Sequence, residues 1–166
     1  MGRKRPPRLA GFEYVGKHRY FLTICTEGRF EAFADASDGQ WILRKFLRAA
    51  EANGFVVIAY CVMPDHLHVL LEGIRPDADL RAFVRWWKQS TGFEWKRRTG
   101  QKLWQEGYFD RVLRPEESEI LMVAYIATNP VRAGLATTLH EYPLFGCSYT
   151  PEQLREALEI ALRTTG

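Results

Sequence analysis

Hydrophobic and polar residues alternate along this chain with two different periods, which predict a mixture of strands and helices. Aromatic and β-branched residues fill positions 20–25, and positions 55–62 form an almost continuous apolar run, so both segments are predicted strands. A third strand is predicted over 66–72, because the turn Met63-Pro64-Asp65 joins it to the second strand as a hairpin. Segment 103–113 is the best candidate for a fourth strand.

Apolar residues recur at helical spacing between these strands. Positions 41–52 predict an amphipathic helix that stops near Asn53-Gly54. A second helix, long and basic, should begin with an N-cap within 77–79 and run toward Trp95. Both helices carry an apolar stripe on one side, so both are expected to pack on a sheet.

A third helix completes the predicted order of elements. Pro115 is expected in its first turn, and the helix should run to about Asn129, before Pro130. The resulting order is strand, helix, strand, strand, helix, strand, helix. This order is typical of an α+β, ferredoxin-like split βαβ sandwich, a four-stranded antiparallel sheet with helices on one face. The third helix would be additional, and the other sheet face would be free for ligands.

The composition indicates one domain of 166 residues, 46% of them hydrophobic. We divide it into a basic arm over 1–15, a central domain over 16–148 and a helical tail over 149–166. No apolar run reaches the roughly 18 to 20 residues of a membrane span, and the basic start lacks the apolar stretch of a secretory signal. Three cysteines without C-x-x-C spacing argue against a disulfide framework, so we expect a cytoplasmic protein.

Charge is distributed unevenly although the net charge is only +3. Residues 1–20 carry a balance of +5 and residues 81–114 a balance of +6, which leaves the remainder at −8. Basic faces of this kind suit a polyanion such as nucleic acid. A charge cluster is also typical of a solvated helix face, and the charges alone do not decide between the two interpretations.

Two histidines stand at strand-face spacing in the third predicted strand. Side chains alternate across a sheet, so His66 and His68 should point one way while Leu67, Val69 and Leu71 pack under the helices. The two histidine backbones would lie about 7 Å apart, close enough for the imidazoles to share one metal ion. Two exposed or hydrogen-bonded histidines would produce the same pattern, so this motif alone is a weak indication.

Tyr125 and Asn129 lie four residues apart in the third predicted helix, and therefore on the same face. The amide oxygen of Asn129 could complete a metal site while the Tyr125 phenol lies above the ion. A tyrosine among apolar helix residues is more often part of the core, which is the alternative for Tyr125.

The amino-acid sequences of these segments also resemble those of a known family. Segment 60–71, YCVMPDHLHVLL, closely resembles the His-hydrophobic-His segment of the single-tyrosine transposases. Segment 125–135, YIATNPVRAGL, is similar to the nucleophile segment of their relatives, the REP-associated tyrosine transposases. The arm RPPR at 5–8, the helix FVRWWK at 83–88 and LWQEGY at 103–108 extend the resemblance over nearly the whole chain.

The resemblance implies an enzyme that cuts and rejoins single-stranded DNA beside hairpins formed by palindromic repeats. Tyr125 would be the nucleophile and would form a 5′-phosphotyrosine. His66, His68 and Asn129 would hold a divalent ion, Mg or Mn. Insertion-sequence members commonly carry Gln where this chain has Asn129, as the REP-associated branch does. A homodimer is one expected state, because insertion-sequence relatives exchange their tyrosine helices, although REP-associated members can act as monomers.

Basic and aromatic residues supply the predicted DNA contacts. The candidates are Arg3, Lys4, Arg5, Arg8, Arg81, Arg85, Trp86, Lys88, Arg97 and Arg132. Trp86, Trp104 or Tyr108 could stack on unpaired bases, and Trp86 rather than Trp87 should be exposed. Two other functions are considered. A metal-dependent hydrolase would give Tyr125 no role, whereas a non-catalytic hairpin-binding module would leave the metal site vestigial.

Overall fold

The computed structural model describes residues 8–115 and 117–165. Its strands are β1 (Arg19–Cys25), β2 (Phe55–Met63), β3 (His66–Gly73), β4 (Phe109–Leu113) and β5 (Phe145–Cys147). Its α-helices are α1 (Ala36–Ala52), α2 (Leu80–Thr99), α3 (Glu119–Arg132) and α4 (Pro151–Thr165). Short 3-10 turns occupy Glu27–Arg29 and Leu139–Glu141. None of the helices within these ranges is long and apolar enough to cross a membrane.

One antiparallel sheet has the strand order β4-β1-β3-β2-β5. The four predicted strands and the split βαβ order are therefore confirmed, and with them the α+β class. A fifth strand was not predicted. It has only three residues and pairs with the edge of β2, so no run of alternating residues marked it in the sequence.

Helices α1 and α2 cover one face of the sheet with a large aromatic core. Leu67, Val69 and Leu71 of β3 enter this core, as the alternation predicted. Phe46 of α1 lies at its centre, with ring centroids 5.4 Å from Phe83 and 5.0 Å from Trp87 of α2. Every one of these side chains is buried.

Helix α3 lies on the opposite face, against β2 and β3, and α4 packs on α3. Phe21, Leu70 and Ile126 form the centre of a second, smaller core there. The face that was expected to be free for ligands is thus partly covered by the additional helix. The predicted helical tail corresponds to α4, whose main buried contact comes from Ala157.

The bounds of α3 differ from the prediction at both ends. Ser118 is the N-cap, its hydroxyl accepting a hydrogen bond from the backbone of Leu121 at 3.3 Å, so Pro115 lies before the helix rather than in its first turn. The helix then continues through Pro130 to Arg132. A proline in the last turn removes one backbone donor, and the following bond from Ala133 to Asn129 is still made at 3.0 Å.

The other differences concern α2 and β4. Asp79 caps α2 as predicted, but the helix extends past Trp95 and ends only at Gly100, which has a left-handed backbone with φ of 77°. Strand β4 is shorter than segment 103–113, because Trp104 makes only an isolated bridge to Thr26.

Candidate metal and tyrosine site

His66 and His68 are the first and third residues of β3, and their side chains lie on the face of the sheet that α3 covers. Their Nε2 atoms lie 3.1 Å apart, and their ring centroids are separated by 4.6 Å. Two nitrogens that each lie roughly 2.1 Å from one ion are separated by about 3 to 3.5 Å. The spacing of the two imidazoles therefore fits a shared metal ion.

The orientation of His66 is set by the residue before it. The Nδ1 atom of His66 lies 2.6 Å from Oδ1 of Asp65. An ionised carboxylate can only accept a hydrogen bond, so Nδ1 carries the hydrogen and Nε2 keeps its lone pair. A carboxylate on the far nitrogen of a metal-binding histidine is a common arrangement, because it holds the ring and its tautomer.

His68 has a partner that works with either tautomer. Its Nδ1 lies 2.9 Å from Oγ1 of Thr23, and a hydroxyl can donate or accept. Without an ion, the Nε2–H group of His68 can donate to Nε2 of His66 while Thr23 donates to Nδ1. With an ion on both Nε2 atoms, the hydrogen of His68 would sit on Nδ1 and be donated to Thr23.

Burial keeps both rings neutral near pH 7. Burial, reinforced by the nearby His66 ring, lowers the pKa of His68 to about 3. Burial also lowers the pKa of His66, although Asp65 opposes this effect. For Asp65 burial would raise the pKa, but hydrogen bonds with His66 and Arg29 outweigh it and the pKa is lowered. Neutral imidazole is the form that binds metal, so protons do not compete for the site near pH 7.

Helix α3 brings Tyr125 beside these rings. The Tyr125 ring is half-buried and meets His68 edge to face, with centroids 5.9 Å apart. Phe21 contacts both, stacked on His68 at 5.4 Å and edge-on to Tyr125 at 5.9 Å. The exposed Arg132 guanidinium lies 5.1 Å from the centre of the Tyr125 ring. The tyrosine is thus not sealed in the core, and a positive charge stands next to it.

Asn129 lies one turn after Tyr125 on α3. Its Nδ2 donates to the backbone oxygen of Tyr125 at 2.8 Å, which leaves the amide oxygen out of that bond. Within residues 8–115 and 117–165 no hydrogen bond joins Asn129 to either imidazole. No group of three His, Cys, Asp or Glu side chains in those ranges could hold a metal. The role of Asn129 as a third ligand stays a prediction.

The predicted DNA contacts occupy several parts of the molecule. Arg3, Lys4 and Arg5 lie outside the described residues. Arg8 lies 3.5 Å from Asp110 and its guanidinium is 5.2 Å from the Tyr108 ring. Lys88 donates to the carbonyl groups of residues 105 and 107. The exposed basic candidates on α2 are Arg81, Arg85 and Arg97.

The aromatic candidates separate clearly by burial. Trp86 is 57% exposed and Trp87 only 1%, as predicted. Trp104 is buried and donates its Nε1–H to Thr91 at 2.9 Å, so the expectation that it could stack on bases is wrong. Phe93, which was not predicted, is 64% exposed one heptad after Trp86, and that spacing could have revealed it. This aromatic pair lies on the helix that packs on the far face of the sheet from His68.

Four residues of the site were missed from the sequence: Phe21, Thr23, Arg29 and Asp65, the last of which was predicted only as part of the turn before β3. Phe21 and Thr23 are two positions apart on β1, so their side chains lie on the same face of the sheet. Their contact with His68 depends on the register that pairs Thr23 with His68. Arg29 reaches the site from a 3-10 turn with no recognisable pattern. Strand alternation could have nominated the first two, whereas nothing local indicated the third.

Comparison with known proteins identifies the family. The family model described as "Transposase IS200 like" matches residues 14–129, well over half of the chain. The chain belongs to the IS200-like transposase family. This transposase is 21% identical, over 135 residues, to a Haemophilus influenzae protein assigned to the REP-associated tyrosine transposases; the match covers 75% of this chain and 76% of that protein. The family resemblance drawn from the sequence is confirmed, and with it the class of DNA-processing enzyme.

Solved structures share the fold of the transposase. One, described as a REP-associated tyrosine transposase bound to a REP hairpin, superposes with a TM-score of 0.67 at 20% identity, covering 87% of this chain and 82% of that chain. Another, a transposase from Deinococcus radiodurans R1, gives a TM-score of 0.51 at 24% identity, covering 69% and 88%. These likenesses support the ferredoxin-like architecture of the transposase.

Proposed function

We propose that this transposase cleaves and rejoins single-stranded DNA beside a hairpin, with Tyr125 as nucleophile and a divalent ion held by His66, His68 and Asn129. The observation that carries the proposal is the convergence of two imidazole Nε2 atoms, 3.1 Å apart, with the Tyr125 ring against His68. A structural role for Tyr125 alone would not account for two neutral imidazoles beside it whose Nε2 atoms are spaced for one ion. The family resemblance selects Mg or Mn as the ion.

The residues around the phenol have separate tasks in this proposal. Asp65 and Thr23 hold the two imidazoles by their Nδ1 atoms. Arg132, whose guanidinium lies 5.1 Å from the Tyr125 ring centre, would attract the scissile phosphate to the tyrosine. When bound, the ion would polarise a non-bridging phosphate oxygen and stabilise negative charge there.

The chemical step exchanges a DNA phosphodiester for a phosphotyrosine ester, so the number of phosphate esters is unchanged. The phenol of Tyr125 loses its proton to solvent, and its oxygen forms a bond to phosphorus. The bond between phosphorus and the 3′ oxygen breaks, and that oxygen leaves as a 3′-hydroxyl after taking a proton. The 5′ end remains on the tyrosine as a phosphotyrosine, so a second 3′-hydroxyl can reverse the reaction without ATP.

Two observations support a hairpin substrate: the basic surface of the chain and the relative described as bound to a REP hairpin. We extend hairpin binding to this chain, with Arg8, Arg81, Arg85, Lys88, Arg97 and Arg132 as phosphate contacts, the N-terminal Arg3, Lys4 and Arg5 adding to them, and Trp86 as a base contact. We place the activity in the cytoplasm. A homodimer would be recognised in light scattering at twice the chain mass of 19.2 kDa.

The deciding experiment follows the covalent adduct. The protein is incubated with hairpin-bearing single-stranded DNA and Mn²⁺, and a DNA adduct that survives denaturing electrophoresis is expected. Tyr125→Phe should abolish the adduct while DNA binding persists. Tyr60→Phe, a matched loss of one hydroxyl on β2, should retain the adduct. Binding without an adduct, with either Mg²⁺ or Mn²⁺, would contradict the transferase and leave the hairpin-binding module.

A further inference from the structure

Arg29 has an unusual backbone conformation. It is the only non-glycine residue with positive φ in the part of the chain that the structure describes, with φ of 60°. It follows Gly28, whose φ is 58°, in the turn Glu27–Arg29. Side chains with a Cβ rarely adopt this region, and they persist there only when their surroundings hold them.

The surroundings of Arg29 are the metal site itself. Its Nε donates to Oδ2 of Asp65 at 2.8 Å and its Nη1 to Sγ of Cys25 at 3.0 Å. Its Nη2 lies 3.4 Å from Nδ1 of His66. The other oxygen of Asp65, Oδ1, is the one that lies 2.6 Å from His66. The carboxylate therefore bridges the guanidinium and the imidazole, with one oxygen on each.

We propose that Arg29 is a positioning residue, which holds the Asp65 carboxylate so that Nε2 of His66 faces His68. The inference rests on the proposed function, because it assumes that the two Nε2 atoms serve one ion. Among the described residues, the Asp65 carboxylate has two side-chain hydrogen-bond partners, Arg29 and His66. Without the guanidinium, rotation of the carboxylate would release the imidazole from its orientation.

A purely structural role for Arg29 would be to fasten its turn, but other groups already do so. The backbone N–H and the hydroxyl of Thr26 both donate to the carbonyl of Asp65 at 3.0 Å. The carbonyl of Phe30 also lies 2.7 Å from this hydroxyl oxygen, so the two carbonyls share its single hydrogen. The Arg29 side chain is 51% exposed, and exposed ion pairs add little stability. Removing it should therefore change the site more than the fold.

The test is a Mn²⁺ titration of the DNA-free protein, followed by electron paramagnetic resonance. Arg29→Gln should weaken Mn²⁺ binding about tenfold or more, because loss of a residue that orients a metal ligand usually has an effect of this size. Arg29→Gly relieves the positive φ and also removes the guanidinium. It should unfold at the same or a higher temperature and still bind Mn²⁺ as weakly as Arg29→Gln. Asp65→Asn combined with Arg29→Gln should add little to either single change.

The matched control is Arg75→Gln. Arg75 forms a comparable exposed pair with Asp77 at 3.2 Å, beyond the opposite end of β3. The Arg75→Gln substitution should leave Mn²⁺ affinity unchanged. Equal Mn²⁺ affinity of the wild type and both Arg29 variants would overturn the proposal, as would an equal loss in Arg75→Gln.

A second measurement separates this inference from the proposed function. Nitrogen-15 spectra of the metal-free imidazoles report which ring nitrogen carries the hydrogen. His66 should carry it on Nδ1 in the wild type, and Arg29→Gly should shift the population toward Nε2. A wild type that binds no Mn²⁺ would contradict the metal site, and the spectra would still decide whether Arg29 sets the His66 tautomer. Identical His66 spectra in wild type and Arg29→Gly would overturn its positioning role.

Discussion

The two faces of the sheet are packed by different kinds of side chain, although they share the same strands. On the α1 and α2 face, aromatic rings such as Phe46, Phe83 and Trp87 meet in a large apolar core. On the α3 face, the smaller core surrounds His68 and the half-buried Tyr125.

Adjacent residues of β1 illustrate the division. Tyr20 points into the aromatic core, with its ring stacked on Tyr14 at a centroid distance of 6.0 Å. Phe21, the next residue, points the other way and contacts both His68 and Tyr125. One face can therefore supply stability, while the other holds partly buried polar groups that lower the stability of the fold. Substitutions on the two faces should have separable effects.

The largest expected effect is on stability, from Phe46→Ala. Phe46 is fully buried between α1, α2 and the sheet, so its loss leaves a cavity. We expect the free energy of unfolding to fall by about 4 kcal/mol in urea denaturation. Mn²⁺ affinity of the protein that remains folded should not change. Val56→Ala, at a 43% exposed position of β2, should cost far less. A loss of metal affinity in folded Phe46→Ala would show that the two faces are coupled.

A smaller change on the other face should act mainly on the reaction. Phe21→Leu keeps an apolar side chain, so the free energy of unfolding should fall by only about 1 kcal/mol. His68 and Tyr125 would lose the ring that fixes them relative to each other, and the rate of adduct formation should fall roughly tenfold or more. The measurement is adduct formation against time at saturating Mn²⁺.

Phe83→Leu is the matched control for that change. It makes the same substitution at a buried position on the α1 and α2 face. It should cost a similar free energy of unfolding but leave the adduct rate of the folded protein unchanged. Equal rate losses in the two variants would mean that Phe21 acts through general stability.

Local patterns predicted the parts of the site that lie within one element. Alternation along β3 was sufficient to place His66 and His68 together, and helical spacing was sufficient to place Asn129 one turn from Tyr125. The fold class followed from the order of elements in the same way. These predictions need only the period of a strand or a helix and no knowledge of the partner.

What the sequence did not reveal depends on contacts between distant segments. Thr23 meets His68 only because β1 pairs with β3 in one particular register. Arg29 reaches Asp65 across 36 positions, from a turn with a left-handed backbone. The end of α3 was missed because the helix tolerates one lost hydrogen bond at Pro130, which is itself buried, and the next bond, from Ala133 to Asn129, is still made. Register and packing are properties of the folded molecule, so periodicity could not supply them.

The smallest predicted effect, Tyr20→Phe, is a gain. The Tyr20 hydroxyl is buried and has no hydrogen-bond partner among the described residues, and burial raises its pKa. Removing it keeps the ring and relieves an unsatisfied polar group, so the free energy of unfolding should rise by up to about 1 kcal/mol. Tyr142→Phe should have the opposite sign, because the Tyr142 hydroxyl donates to the Val62 carbonyl. Urea denaturation measures both variants, and destabilisation by Tyr20→Phe would mean that its hydroxyl is satisfied in solution.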